Sequence, residues 1–182
     1  QHHRFTVSIT SPLDLLRELF TVKGAGTMVR RGAEIRQYAT WDDIDRPRLL
    51  RLVEDAFAKP LRPNYDQRPL LAAFIADDYR GAAIVTPTEL APYLSKFAVT
   101  TVARGEGVGR DLWDPLITAF PRLYWRARAE NPIASWYRDQ ADGLCRVRIG
   151  GSAWVVFWRG LTPDEIPGAI AYCQTAPADF LG

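Results

Sequence analysis

The residues with the clearest chemical potential run from Arg104 to Gly109, Arg-Gly-Glu-Gly-Val-Gly. They lie between an apolar run ending near Thr100 and a stretch of helical periodicity carrying Leu112. Glycine lets the backbone turn tightly and admits a ligand without a side chain in the way. Amides at a helix N-terminus are free donors at the positive end of the dipole. The pattern therefore predicts a pyrophosphate cradle over residues 105–109. A glycine-rich helix start with no ligand is the plainer alternative. A dinucleotide fold is disfavoured, because the third glycine and a downstream acid at the right offset are missing.

A second group is Tyr124-Trp125-Arg126-Ala127-Arg128-Ala129-Glu130-Asn131-Pro132. Arg126 and Arg128 are two apart on a predicted strand, so both project from one face. Two guanidiniums so placed either pair with surface carboxylates or clamp an anionic ligand. Their neighbours are apolar or aromatic, which argues for a central strand, where a buried charge needs an anionic partner. Asn131 can bond a carboxylate and an amine, or serve as the turn residue before Pro132.

Positioning these groups requires an α/β chain. Ile35 to Tyr38 reads as a strand, followed by a helix capped by Asp42 or Asp43 and carrying Leu49, Leu50, Leu52, Val53 and Phe57. Pro60 and Pro63 end it. Leu70 to Ala76 and Ala82 to Val85 flank a hairpin connection at 77–81. Leu94 to Thr100 is a strand, Gly107 to Phe120 a helix, Leu123 to Arg128 a strand and Ser135 to Ala141 a short helix. Cys145 to Ile149 and Ala153 to Trp158 form a hairpin, and Pro163 to Tyr172 a last helix. The order predicts a mixed, mostly antiparallel sheet flanked by helices, with one strand–helix–strand crossover. Before Ile35, Ser11-Pro12 opens a short helix through Leu19, and Val22 to Thr27 is a glycine-rich turn.

The 182 residues suit one domain with a short appendage, and at 47% hydrophobic, with six Trp and eight Phe, they can bury a sizeable core. A formal charge of +2, from 23 basic and 21 acidic side chains, is no footprint of a nucleic-acid or membrane-surface binder. Cys145 and Cys173 show no disulfide-framework spacing, so a reducing, cytoplasmic setting is expected. No apolar run approaches the ~20 residues of a membrane span, and no secretory signal opens the chain. His2 and His3 read as a tail, without a third ligand, and no metal is assigned.

Arg-x-x-Gly-x-Gly between a strand and a helix resembles the acetyl-CoA signature of the GCN5-related acetyltransferases, and the element order is that family's. Tyr93-Leu94-Ser95-Lys96-Phe97, Trp125-Arg126-Ala127-Arg128, Asn131-Pro132-Ile133, Trp136-Tyr137, Asp142-Gly143 and Phe157-Trp158-Arg159-Gly160-Leu161 resemble the acetyltransferase domain of vertebrate-like N-acetylglutamate synthases. That domain also ends bacterial bifunctional synthase/kinases. Glu18 to Val29 resembles the closing segment of acetylglutamate kinases. Residues 1–33 are thus expected to be the end of a kinase-like domain plus linker, and 34–182 the N-acetyltransferase domain.

The resemblance implies acetyl transfer from acetyl-CoA, a cosubstrate, to the α-amine of L-glutamate, the first step of arginine biosynthesis. It places the pyrophosphate on Arg104, Gly105, Glu106, Gly107, Val108 and Gly109, and the pantetheine arm along Phe97, Ala98 and Val99. Lys59, Tyr93, Lys96, Arg126, Arg128 and Asn131 would hold glutamate, with Tyr137 and Asn131 in catalysis. Tyr137 is the candidate acid for the leaving thiolate, or else a core residue. No spacing identifies a general base. Ala134-Ser135, where the family commonly has Asn-Pro, and Leu144-Cys145 depart from its pattern near the acceptor loop, which bears on fine specificity. A catalytically weak module that regulates or assembles an attached kinase is the alternative. The full-length protein is expected to be a homo-oligomer, with neither nucleic acid nor membrane as partner.

Overall fold

A computed structural model describes residues 6–9, 27–30 and 32–181. The chain divides into two compact units, residues 1–33 and 34–182. In the first, β1 (Thr6–Ile9) and β2 (Thr27–Arg30) pair antiparallel, Thr6 opposite Arg30 and Ile9 opposite Thr27. The helix expected from Ser11 and most of the glycine-rich turn lie outside the described residues.

In the second unit, seven strands form one sheet: β3 (Ile35–Tyr38), β4 (Ala72–Ala76), β5 (Gly81–Thr86), β6 (Tyr93–Val99), β7 (Leu123–Arg128), β8 (Gly143–Ile149) and β9 (Ser152–Arg159). Their order is β3-β4-β5-β6-β7-β9-β8. Every neighbouring pair is antiparallel except β6 and β7. β4 and β5 are apolar along their length because helices cover both faces there, so every residue from Ala72 to Ala76 is buried.

Four helices cover the sheet: α1 (Arg46–Phe57), α2 (Val108–Ala119), α3 (Ala134–Gln140) and α4 (Ile166–Thr175). α1 and α4 lie on one face. α1 buries Leu49, Leu52 and Val53 against Ala73, Ile75, Ala82 and Ile84, and α4 sets Ala169 and Cys173 against Tyr93, Tyr124 and Val156. α2 and α3 cover the other face, where Trp113 and Tyr137 meet Trp125.

Two helix starts differ from the sequence reading. α1 is capped by Asp45, whose carboxylate accepts the Arg48 amide at 3.1 Å, while Asp42 and Asp43 sit in a 3-10 turn. Pro47 decides this, since a proline is tolerated only in the first turn, where its missing N–H is not needed. The same rule moves the start of α4 from Pro163 to Ile166, with Pro167 in the first turn. The Glu165 carboxylate ties off the preceding turn by accepting the Thr162 amide at 2.8 Å.

Gly81 shows how closely α2 lies on the sheet. A Cβ built there would stand 2.8 Å from Leu112 Cδ1 and 2.9 Å from Val108 Cγ1, both on buried residues. Gly81→Ala should therefore lower stability by about 1–3 kcal/mol through overpacking, read as a drop in urea midpoint with an unchanged slope. An unchanged midpoint would show that α2 gives way freely.

Candidate active site

The site begins with a defect in the sheet. Ile84 pairs with Lys96, but Val85 pairs with Leu94, so Ser95 is an extra residue that bulges β6. On its other side β6 meets β7 at a single pair, Tyr93 with Tyr124, backed by Tyr124 N–H to Pro92 C=O at 3.2 Å. Beyond that pair the strands part. β6 keeps its ladder to β5, and β7 keeps its ladder to β9. The edge of β6 facing the gap, from Leu94 to Val99, is left without a strand partner among the described residues. Buried backbone groups require partners, and an extended ligand carrying amides can supply them.

At the end of β6 the chain turns through Arg104–Gly107 into α2. Gly105 and Gly107 have φ of 85° and 86°, a conformation that disfavours any side chain. Gly107 caps α2 without a side-chain bond. No backbone acceptor among the described residues takes the amides of Gly105, Gly107, Val108 or Gly109. They remain donors for an anion at the helix start. Arg104 instead donates to Ala56 C=O at 3.0 Å. The Glu106 carboxylate accepts from Arg80, which also holds Asp78, so the turn after β4 is tied to the glycine loop.

On the α2 and α3 face Tyr137 is buried in a box of rings, with Trp125 at 5.5 Å, Phe157 at 5.6 Å and Phe97 at 6.2 Å between centroids. Burial raises the pKa of its phenol, so it is protonated at neutral pH. Trp136 stacks on Phe97 at 5.6 Å. The indole N–H groups of Trp113 and Trp125 are buried without an acceptor among the described residues.

On the opposite face lie the cations. Lys96, 4% exposed, donates to Ser95 C=O at 3.0 Å and to the Asp179 carboxylate, and its ammonium lies over the Tyr65 and Phe180 rings at 5.1 Å and 5.3 Å. Burial brings its pKa down to about 8, against the opposing pull of Asp179. Arg126 and Arg128 do share one face, both over the Trp154 ring at 5.0 Å and 5.1 Å. Arg126 finds a partner that its sequence context did not suggest. It donates to the carbonyls of Cys173, Ala176 at 3.2 Å and Pro177 at 3.4 Å, at the negative end of α4.

Arg128 is more exposed, donating to Ser152 Oγ at 3.1 Å with Glu130 at 3.8 Å. Tyr93 packs between Tyr124 and Tyr172 beside Arg126. Asn131 Oδ1 accepts the Ile133 amide at 3.2 Å, which is turn chemistry and leaves its NH2 to donate. Lys59 is exposed just beyond α1. Lys96, Tyr93 and Arg126 are thus gathered, with Arg128 beside them, while Lys59 stands apart. The sequence reading did not single out Arg68, Asp179 or Arg80. Arg68 and Asp179 lie in no local pattern because their partners are distant in the chain, and the link that Arg80 makes to the glycine loop is to Glu106, 26 residues on.

A family model described as the N-acetyltransferase of N-acetylglutamate synthase matches residues 36–175. The chain belongs to that family. Among its relatives, an acetylglutamate kinase of Xylella fastidiosa is 41% identical over 97% of this chain and 41% of its own length. The mitochondrial N-acetylglutamate synthase of Danio rerio is 38% identical over 94% of this chain and 33% of its own. The chain therefore spans well under half of these relatives. An acyl-CoA N-acyltransferase from Pseudomonas aeruginosa has the same fold, with TM-score 0.56 at 14% identity over 71% of this chain and 100% of the other. A ribosomal-protein-S18-alanine N-acetyltransferase from Escherichia coli matches with TM-score 0.51 at 17% identity, over 72% of this chain and 97% of the other. The fold is that of the GCN5-related acetyltransferases.

If the Arg80 link holds the glycine loop in this N-acetyltransferase domain, Arg80→Ala should speed amide exchange across residues 101–110 by about tenfold, an opening cheaper by about 1.4 kcal/mol. Exchange in β8 should be unchanged. Equal acceleration in both places would assign Arg80 to global stability.

Proposed function

We propose that this domain transfers the acetyl group of acetyl-CoA to the α-amine of L-glutamate, giving N-acetylglutamate and CoA, as part of a bifunctional synthase/kinase. The observation that carries the reading is the gap between β6 and β7, with cations gathered on one face and a protonated Tyr137 on the other. Family membership supports acetyl transfer as the chemistry. The bifunctional setting draws on relatives named both acetylglutamate kinase and N-acetylglutamate synthase.

In this reading the pyrophosphate of CoA rests on the amides from Gly105 to Gly109, near Arg104. The pantetheine arm lies along Phe97, Ala98 and Val99 and takes up the unpaired edge of β6. Arg126, Arg128, Lys96, Tyr93 and the Asn131 amide present donors to the two carboxylates of glutamate. The neutral amine attacks the thioester carbon, the C–N bond forms and charge gathers on the carbonyl oxygen. A backbone N–H near Val99 donates a hydrogen bond to that oxygen. The C–S bond then breaks, the thiolate takes the phenol proton of Tyr137, and the amine proton passes to water. No metal enters this scheme.

A second reading, a catalytically weak module serving an attached kinase, draws on the kinase name of the Xylella relative. CoA release with a panel of amino acids separates the two. Release that depends on glutamate, with little from glutamine or lysine, is expected. CoA binding without turnover would favour the second reading.

Tyr137→Phe should lower kcat by about 10²-fold while leaving both KM values near their original levels. Turnover at the original rate with the same pH dependence would remove the acid role. Arg126→Ala should raise the KM for glutamate by about tenfold or more with acetyl-CoA little affected. Because Arg126 also holds the end of α4, the thermal midpoint is measured alongside. A parallel loss of both substrates would mean collapse of that helix.

A further inference from the structure

The buried ammonium of Lys96 is held from outside its own strand by one carboxylate, that of Asp179. Asp179 follows α4 in the last stretch of the described chain and comes from no predicted site. Its carboxylate bridges Lys96 and Arg68 and is only 15% exposed. The backbone that carries it is pinned down. Arg62 N–H donates to Asp179 C=O at 2.8 Å, Leu181 N–H to Pro60 C=O at 2.9 Å, and Leu61 bridges to Phe180. The same segment supplies the Phe180 ring beside Lys96 and the Ala176 and Pro177 carbonyls that hold Arg126. The chain after Thr175 therefore fixes a cation from β6 and another from β7, on the two sides of the gap.

We propose that Asp179 is a positioning residue of the acceptor site, fixing the Lys96 ammonium and keeping it protonated so that a dicarboxylate acceptor meets a defined cationic wall. This rests on the glutamate reading above.

The groups facing Lys96 are Asp179 and the Phe180 ring from the C-terminal segment, Arg68 and Tyr65 from the turn before β4, Arg126 from β7 and Ser95 on its own strand. Two of these are cations, and both disfavour protonation, as does burial. Asp179 is the anion that opposes them. With it, Lys96, Arg68 and Arg126 retain two uncompensated positive charges, which two carboxylates would balance. Without it, a buried ammonium between two guanidiniums sheds its proton more readily. Tyr65 holds the arrangement from below, bonded to Ser95 Oγ at 3.1 Å with Arg68 over its ring at 5.2 Å.

The test uses the whole chain with Asp179→Asn and Asp179→Glu. The Lys96 titration is followed by the NMR shift of its Cε, which needs no turnover, and glutamate kinetics are measured across the alkaline range. In the original protein burial should bring the Lys96 midpoint down to about 8. In Asp179→Asn the midpoint should fall by about one pH unit or more. The KM for glutamate should rise by about tenfold or more, its loss at high pH should begin at lower pH, and the KM for acetyl-CoA should hold within about twofold. Asp179→Glu should restore the midpoint in part. An unmoved midpoint in Asp179→Asn overturns the proposal, as does an equal rise in both KM values. Failure of the original protein to acetylate glutamate would overturn the glutamate reading instead, and the acceptor role of Asp179 with it. The midpoint would still report whether Asp179 holds the Lys96 proton.

Discussion

β6 and β7 are parallel neighbours in the centre of a sheet, yet they share one residue pair, Tyr93 with Tyr124. A parallel pair in such a place would ordinarily continue, because each buried amide and carbonyl needs a partner. Here the bulge at Ser95 bends β6 while its ladder to β5 resumes, and β7 follows β9 instead. The sheet thus splits without losing either half. The rest of the site follows from that split. The polar edge left on β6 can bind something extended, and side chains from opposite faces of the sheet can approach one point through the gap.

The two faces meet the gap with different chemistry, and each has its own support. On one side, aromatic packing of Phe97, Trp113, Trp125, Trp136, Tyr137 and Phe157 excludes water and keeps the Tyr137 proton in place. On the other, Arg126 satisfies carbonyls at the end of α4, and Lys96 pairs with Asp179. Neither cation is a bare charge. Each is fixed by the fold before any acceptor arrives, which lowers the ordering cost that binding would otherwise carry.

Periodicity made most of the fold legible. The apolar runs of β4 and β5 and the helical spacing of Leu112 and Leu116 in α2 signalled their elements. The cap of α1 was misplaced at Asp42 or Asp43, which are chemically like Asp45, and Pro47 moves it to Asp45 through backbone geometry. In the site, the glycine loop and the paired arginines were legible because their residues are adjacent. Arg126 pairing with Cys173, and Lys96 with Asp179, were not, since 47 and 83 residues separate the partners. Nothing in Ala-Pro-Ala-Asp-Phe marks Asp179 as a counterion. Only the docking of the C-terminal segment onto the loop after α1 brings it there.

The most direct measurement is a crystal structure of this chain with CoA and L-glutamate bound. The account predicts pyrophosphate oxygens on the amides between Gly105 and Gly109, pantetheine amides bonded to the free edge of β6, and the glutamate carboxylates on the Lys96 and Arg126 side. Its amine should lie within the gap, across from Tyr137. A pantetheine arm lying outside the gap, or β6 and β7 closing into a continuous ladder around the ligands, would contradict it.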